Sequence, residues 1–187
     1  MKTIYILLTR TDTVFSKVIT RFSHEPFAHT SLLFDENFAS GYSFSRKKLN
    51  NPFIGGLVCE DYPKWTGAFP NTFCRVYKLH TTDEKFEHLQ QILEKWFAQQ
   101  DIYGYNLRGV VGRLFNIDLE PKNKFFCTQF ISTVLMEADI LHFDTPPIQV
   151  IVRDFKNHPD LTLIYEGYLT SLLQEGIQDV VPLAASY

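Results

Sequence analysis

The stretch FFCTQFISTVLMEAD, residues 125–139, decides how the chain is read. Phe126, Phe130, Ile131, Val134 and Leu135 repeat at helical spacing, so an amphipathic helix begins at about Phe126, and Cys127 falls in its first turn. The N-terminal turn of a helix presents N–H groups without intrahelical partners and the positive end of the macrodipole. A cysteine there is favoured as the thiolate, above all beside an imidazolium, and so reads as a candidate nucleophile. The alternative reading is a small buried residue that fills a gap in the core.

The other two cysteines lack that setting. Cys59 falls in a segment that reads as loop and Cys74 inside a strand, and the three are widely spaced with no CxxC pair. That pattern argues against a disulfide framework and a structural zinc site.

A catalytic thiol needs a base. Of six histidines, His88 lies off the apolar stripe of its helix, and His142 and His158 fall in polar loops. His24 closes the first helix and His80 closes a strand before a helix cap. His29 differs, because it opens the apolar strand HTSLLF, where a titratable ring stands at the rim of the core. A hairpin turn centred on Glu36 sets His29 across from Ser43 of SGYSF, whose hydroxyl can orient the imidazole. A register slip of one makes Tyr42 or the backbone the alternative.

Around these residues the chain alternates strands and helices. A strand over Lys2–Leu8 precedes a helix carrying Val14, Phe15, Val18, Ile19 and Phe22, capped by Thr11 or Asp12. The hairpin follows. Residues 46–72 hold Asn50-Asn51-Pro52, Gly55-Gly56, Tyr62-Pro63 and Phe69-Pro70, and read as mostly loop with a short strand near Gly56–Cys59. TFCRVYKLH is a strand, and Thr81 with Glu84 forms a capping box opening a helix striped by Phe86, Leu89, Ile92, Leu93, Trp96 and Phe97. A tyrosine- and glycine-rich turn and a short helix occupy YGYNLRGVVGRLFNI. After the cysteine helix come a short helix over Val150–Asn157, the strand LTLIYEG and a last helix over Tyr168–Glu175.

Composition bounds the function. The chain has 187 residues, 45% hydrophobic and 21% charged, which fits one soluble globular domain spanning 1–187. The net charge of −3, with acids and bases interleaved, gives no basic face for nucleic acid, and Arg46-Lys47-Lys48 reads as a solvated loop. The apolar run near the N-terminus is too short for a signal segment or membrane span, which points to a cytoplasmic protein. The 17 Phe and 9 Tyr build an aromatic core or line an apolar pocket; Phe53–Val58 and Gly109-Val110-Val111-Gly112 are candidates to flank such a cleft.

The order of these motifs carries a resemblance. A histidine heading a hairpin strand (His29), a polar residue on the returning strand (Ser43), and much later FCTQF (126–130) opening a helix resemble the circularly permuted NlpC-like papain fold, the bacterial YiiX-like group. YILLTRT and NPFIGG fall in similar places, and the resemblance runs from Ile4 to about Phe155. It implies an α+β fold in which an antiparallel sheet or partial barrel packs against helices, including the cysteine helix. It implies Cys127 as nucleophile, His29 as base and Ser43 as the orienting group, where relatives more often carry His, Glu, Asp, Asn or Gln. The implied activity is that of an amidase, peptidase or acyl hydrolase on a small peptide, amide or acyl-lipid substrate, with no cofactor. A catalytically inactive binding module on the same fold is the competing reading. A metal site of His29, Cys127 and a carboxylate is a third, with no short-spaced ligand pair to recommend it.

Overall fold

The computed structural model describes residues 1–48, 51–106 and 121–177. The short helix expected after Tyr105 and the segment 109–112 lie outside the described residues.

Strand β1 (Lys2–Arg10) is apolar on both sides because it lies inside the sheet, between β2 (His29–Leu33) and β5 (Phe73–Thr81). Strands β3 (Ser40–Lys48), β4 (Asn51–Asp61) and β8 (Thr162–Tyr168) complete a six-stranded sheet of order β4-β3-β2-β1-β5-β8, with every neighbour antiparallel. A two-stranded parallel ribbon joins β6 (Gly104–Tyr105) to β7 (Lys124–Phe125).

The two-residue period of the strands sorts side chains onto two cores. Ile4, Ile6 and Leu8 of β1, with Leu32, Phe44 and Leu57, face the helices α3 (Asp83–Ala98) and α4 (Cys127–Glu137). Tyr5 and Leu7, with Leu33, Cys74 and Val76, face α2 (Tyr62–Ala68) and α6 (Leu169–Glu175). A sheet covered on both faces makes a mixed α+β fold. Much of the aromatic content goes into the first core: Phe44 meets Phe130 at 5.2 Å, Phe125 at 5.4 Å and Trp96 at 6.2 Å between ring centroids. Such pairs add about 0.5–1.5 kcal/mol each beyond area burial.

Helix caps differ from the expected ones by one or two residues. Thr13 caps α1 (Val14–Ser23) through its hydroxyl, which accepts from the Ser16 N–H, and Thr82, the second threonine of the pair, caps α3. A short helix, α5 (Val152–Lys156), follows a turn of 3-10 helix at Pro147–Gln149. Its Arg153 and Lys156 hold the buried carboxylate of Glu25, which fixes the approach to β2 and hence to His29.

The segment 46–72 corrects the expectation of a long loop. Gly55 and Gly56 sit inside β4 because neighbouring side chains lie over them: a Cβ on Gly55 would meet Tyr105 at 2.8 Å, and one on Gly56 would meet Lys47 at 2.8 Å. Pro63 starts a helix, as proline does in a first turn, and Asp61 caps it by accepting from the Lys64 N–H at 3.0 Å. Arg46 and Lys47 are likewise strand residues, with Arg46 half-buried.

Candidate active site

The hairpin register is two residues away from the expected one. Leu32 pairs with Tyr42, whereas Ser43 pairs with Val58 of β4. Ser43 is fully buried, and its hydroxyl has no hydrogen-bond partner among the described residues. The structure therefore does not bring Ser43 to His29, and Tyr42 turns to the opposite core, against Phe34 and Phe97.

The group that meets His29 is Glu60. His29 Nε2 lies 3.0 Å from Glu60 Oε1, and the glutamate side chain is only 3% exposed. Three hydroxyls hold the carboxylate in turn. Ser31, two residues along β2 from His29, donates to Oε2 at 2.6 Å; Tyr62 donates to the same oxygen at 3.0 Å; the Ser45 hydroxyl helps to keep the carboxyl ionised. The Ser31 oxygen also stands 3.2 Å from His29 Nε2, so the serine bridges the pair. Trp65 of α2 stacks against the imidazole with centroids 6.4 Å apart and planes 13° from parallel, which fixes the ring.

Gly41 makes room for this arrangement. It pairs with Glu60 across β3 and β4, and a Cβ there would meet the Tyr62 hydroxyl at 2.6 Å and Leu33 at 3.1 Å. Gly41→Ala is expected to lower stability by about 1–3 kcal/mol through overpacking. The same change shifts Tyr62 away from Glu60. Denaturant unfolding checks the first effect, and the acid limb of the stability–pH curve the second.

Cys127 approaches His29 from α4, which packs across β2 and β3. It is the first residue of α4, buried at 7% exposure. Phe126 takes the cap position without a side-chain cap, Phe130 and Phe126 are buried beneath the turn, and Thr128 donates to the Val150 carbonyl at 2.8 Å. The Cys127 side chain acts on the imidazole of His29 and helps to raise it. His29 thus stands between Cys127, which acts on it electrostatically, and Glu60, to which it is hydrogen-bonded.

The charges are strongly coupled. Burial by itself depresses His29, but the Glu60 carboxylate and the neighbouring Cys127 side chain overcome it and raise the imidazole to about 10. Burial likewise opposes the charge on Glu60, and the facing His29 with the Ser31 and Ser45 hydroxyls brings it down to about 2. His29 is therefore an imidazolium and Glu60 a carboxylate at neutral pH. Cys74, by contrast, is pushed up to about 12 by burial and by the charge of Glu166, and exposed Cys59 is raised by burial and by its acidic neighbours Glu60 and Asp61.

Sequence reasoning missed Glu60 because its strand read as loop. The available signal was the pair Glu60-Asp61 directly before Tyr62-Pro63, where an aspartate cap and a first-turn proline mark a strand-to-helix junction.

Fold and site together define a mixed α+β protein with a buried Cys–His–Glu line at the junction of sheet and helix. No family model matches the sequence, and no curated protein matches it. Among solved structures, the fold is similar to that of metalloprotein yiiX from Escherichia coli O157:H7, DUF1105, with a TM-score of 0.60 and 14% identity, covering 89% of this chain and 98% of that chain. At that identity the likeness is one of fold. Among the described residues, no helix is long and apolar enough to cross a membrane.

Proposed function

We propose that this chain is a cysteine-dependent hydrolase of amide or ester bonds with the permuted NlpC-like papain topology. Cys127 is the nucleophile, His29 the proton carrier and Glu60 the orienting group. The observation that carries the reading is a cysteine at the first residue of a helix acting on an imidazole that is itself hydrogen-bonded to a buried carboxylate. With His29 Nε2 turned to Glu60, the other ring nitrogen is left for proton transfer with the thiol, the division of labour a general base needs.

Sγ of Cys127 attacks the carbonyl carbon of the substrate, and the Cys127 backbone N–H, at the start of α4, donates to the developing oxyanion. His29 passes its proton to the departing amine or alcohol as the carbonyl–heteroatom bond breaks, leaving a thioester. Water, deprotonated by His29, then releases the acid and restores the thiol. The reading as an inactive binding module rested on a serine orienting the histidine, and Glu60 supplies the charge which that serine lacks.

The solved neighbour is named a metalloprotein. In this chain the Glu60 oxygens are already engaged by His29, Ser31 and Tyr62, and among the described residues no group of three His, Cys, Asp or Glu side chains is arranged so that it could hold a metal ion. The donor set does not fit, and no step is routed through a metal.

The test is competitive alkylation followed by peptide mass analysis. Accessibility alone favours exposed Cys59 over buried Cys127 and Cys74. The proposal expects limiting iodoacetamide at neutral pH to label Cys127 first, and preferential labelling of Cys59 sinks it.

A further inference from the structure

The hollow beside His29 has room for the reacting group alone. Its volume is about 40 Å³, little more than the space one water molecule takes in the liquid, so the rest of a substrate must lie outside it. Thr11 and Ser16 line this hollow and also a second one of about 440 Å³, and the two adjoin there. The second has the size of an ordinary ligand site.

Strand order sets the course of that groove. Thr9 pairs with His29, the next residue Arg10 pairs with Phe73, and Phe73 pairs with Tyr168. His29, Arg10, Phe73 and Tyr168 therefore stand at the same end of the successive strands β2-β1-β5-β8. Neighbouring strands lie about 4.8 Å apart, so the distance from the base to Tyr168 is roughly 14 Å. Helix α1 walls the groove with Ser16, Lys17 and Thr20.

Arg10 stands in the groove on a platform of rings. Phe73 lies between Phe27, stacked at 6.4 Å, and Tyr168, edge-on at 5.6 Å, and the Arg10 guanidinium lies over the Phe73 ring at 5.0 Å. The ring takes the face of the guanidinium and leaves its N–H fork for a planar oxyanion. Asp12 is the acid among the described lining residues, and it stands 3.9 Å from Lys17 of the same wall. Lys17 is thereby matched, whereas Arg10 forms no salt bridge among the described residues. At the junction of the two hollows the buried Ser16 hydroxyl accepts from the Thr11 N–H at 3.2 Å, which leaves its own hydrogen for a ligand acceptor.

We propose that the groove over the ends of β1, β5 and β8 holds the non-reacting arm of an elongated polar substrate, and that Arg10 receives an oxyanion, carboxylate or phosphate, on that arm. The oxyanion lies at least one strand spacing from the bond that Cys127 attacks. This deepens the hydrolase reading and rests on it. A neutral arm of the same length leaves Arg10 without a counter-charge and is held less well.

Binding is measured in Cys127→Ala protein, so turnover plays no part, by following the backbone amide resonances of Arg10, Thr11 and Ser16 in a nuclear magnetic resonance titration. The probe is suberic acid monoamide, whose amide stands for the scissile bond and whose carboxylate lies at the far end of the chain. Suberamide is its neutral counterpart, and inorganic phosphate is the second oxyanion. The monoamide is expected to saturate the shifts at a concentration roughly fivefold lower than the diamide. Arg10→Gln abolishes that advantage, and Arg10→Lys keeps part of it. Saturation by phosphate at lower concentration than the monoamide, lost in Arg10→Gln, assigns the oxyanion to a phosphate, and the reverse order assigns it to a carboxylate. The proposal is overturned when neither anion binds more tightly than the diamide, or when the advantage survives Arg10→Gln in a protein with unchanged circular dichroism. Iodoacetamide labelling of Cys127 in the unmodified chain is independent of these titrations, so the hydrolase reading and the groove fail separately.

Discussion

His29→Ala is expected to slow the alkylation of Cys127 at neutral pH by roughly a hundredfold or more, the usual contribution of a positioned proton acceptor. The thiol keeps its place at the start of α4, where Phe126, Phe130 and Thr128 fix the turn independently of the histidine. What it loses is the neighbouring imidazole. Because the imidazole also stacks on Trp65 and faces buried Glu60, the alanine variant leaves a carboxylate without its counter-charge and is less stable. His29→Gln, which can still donate to Glu60 but carries no charge, separates the two effects: it recovers part of the stability and leaves the slow alkylation. Added imidazole, entering the space vacated in the alanine variant, restores part of the rate. His142→Ala serves as the control, since that exposed ring pairs with Asp139, away from the site. An alkylation rate unchanged in both His29 variants removes His29 from the mechanism.

The parts of this site differ in how far the chain announces them. Cys127 and His29 are legible because each sits at the first residue of an element with strong periodicity, so a local pattern places the side chain at the element's end. The third position depends on register, which local pattern does not fix. The hairpin pairs Leu32 with Tyr42 through a turn in which Phe38 takes a left-handed φ of 52°, so an equal-arm count from Glu36 arrives two residues short. Glycines obscure β4 further. Gly55 and Gly56 read as breakers, yet each is a strand position over which another side chain lies: Tyr105 and Lys47. Those side chains come from elsewhere in the chain, and only the assembled sheet shows why a strand tolerates glycine there. The antiparallel sheet with helices, by contrast, follows from apolar runs and 3.6-residue stripes that tertiary packing reinforces.

Glu60→Gln tests the remaining member of the line, and its effects run in calculable directions. The side chain keeps its shape and part of its hydrogen bonding, but the charge facing His29 is gone. Removing one partner from a buried ion pair costs about 3 kcal/mol. That cost depends on pH. His29 is raised in the folded state, so its share of the stability is complete below its ordinary value of 6.5 and is lost as the pH climbs through about 10. Glu60 is depressed, so its share is complete above 4.5 and is lost as the pH falls through about 2. The stability difference between the native chain and Glu60→Gln is therefore widest between pH 4.5 and 6.5 and narrows on both sides. Denaturant midpoints across that range measure it. Catalysis moves in parallel. His29 must hold a proton to deliver it to the leaving group, and without Glu60 the burial that depresses the imidazole acts with less opposition. The alkaline limb of the kcat/KM profile on a chromogenic amide or ester should shift down by at least about one pH unit. A limb that stays in place while stability drops assigns Glu60 to the fold alone, and His29 then has to be held for catalysis by Ser31 and Trp65.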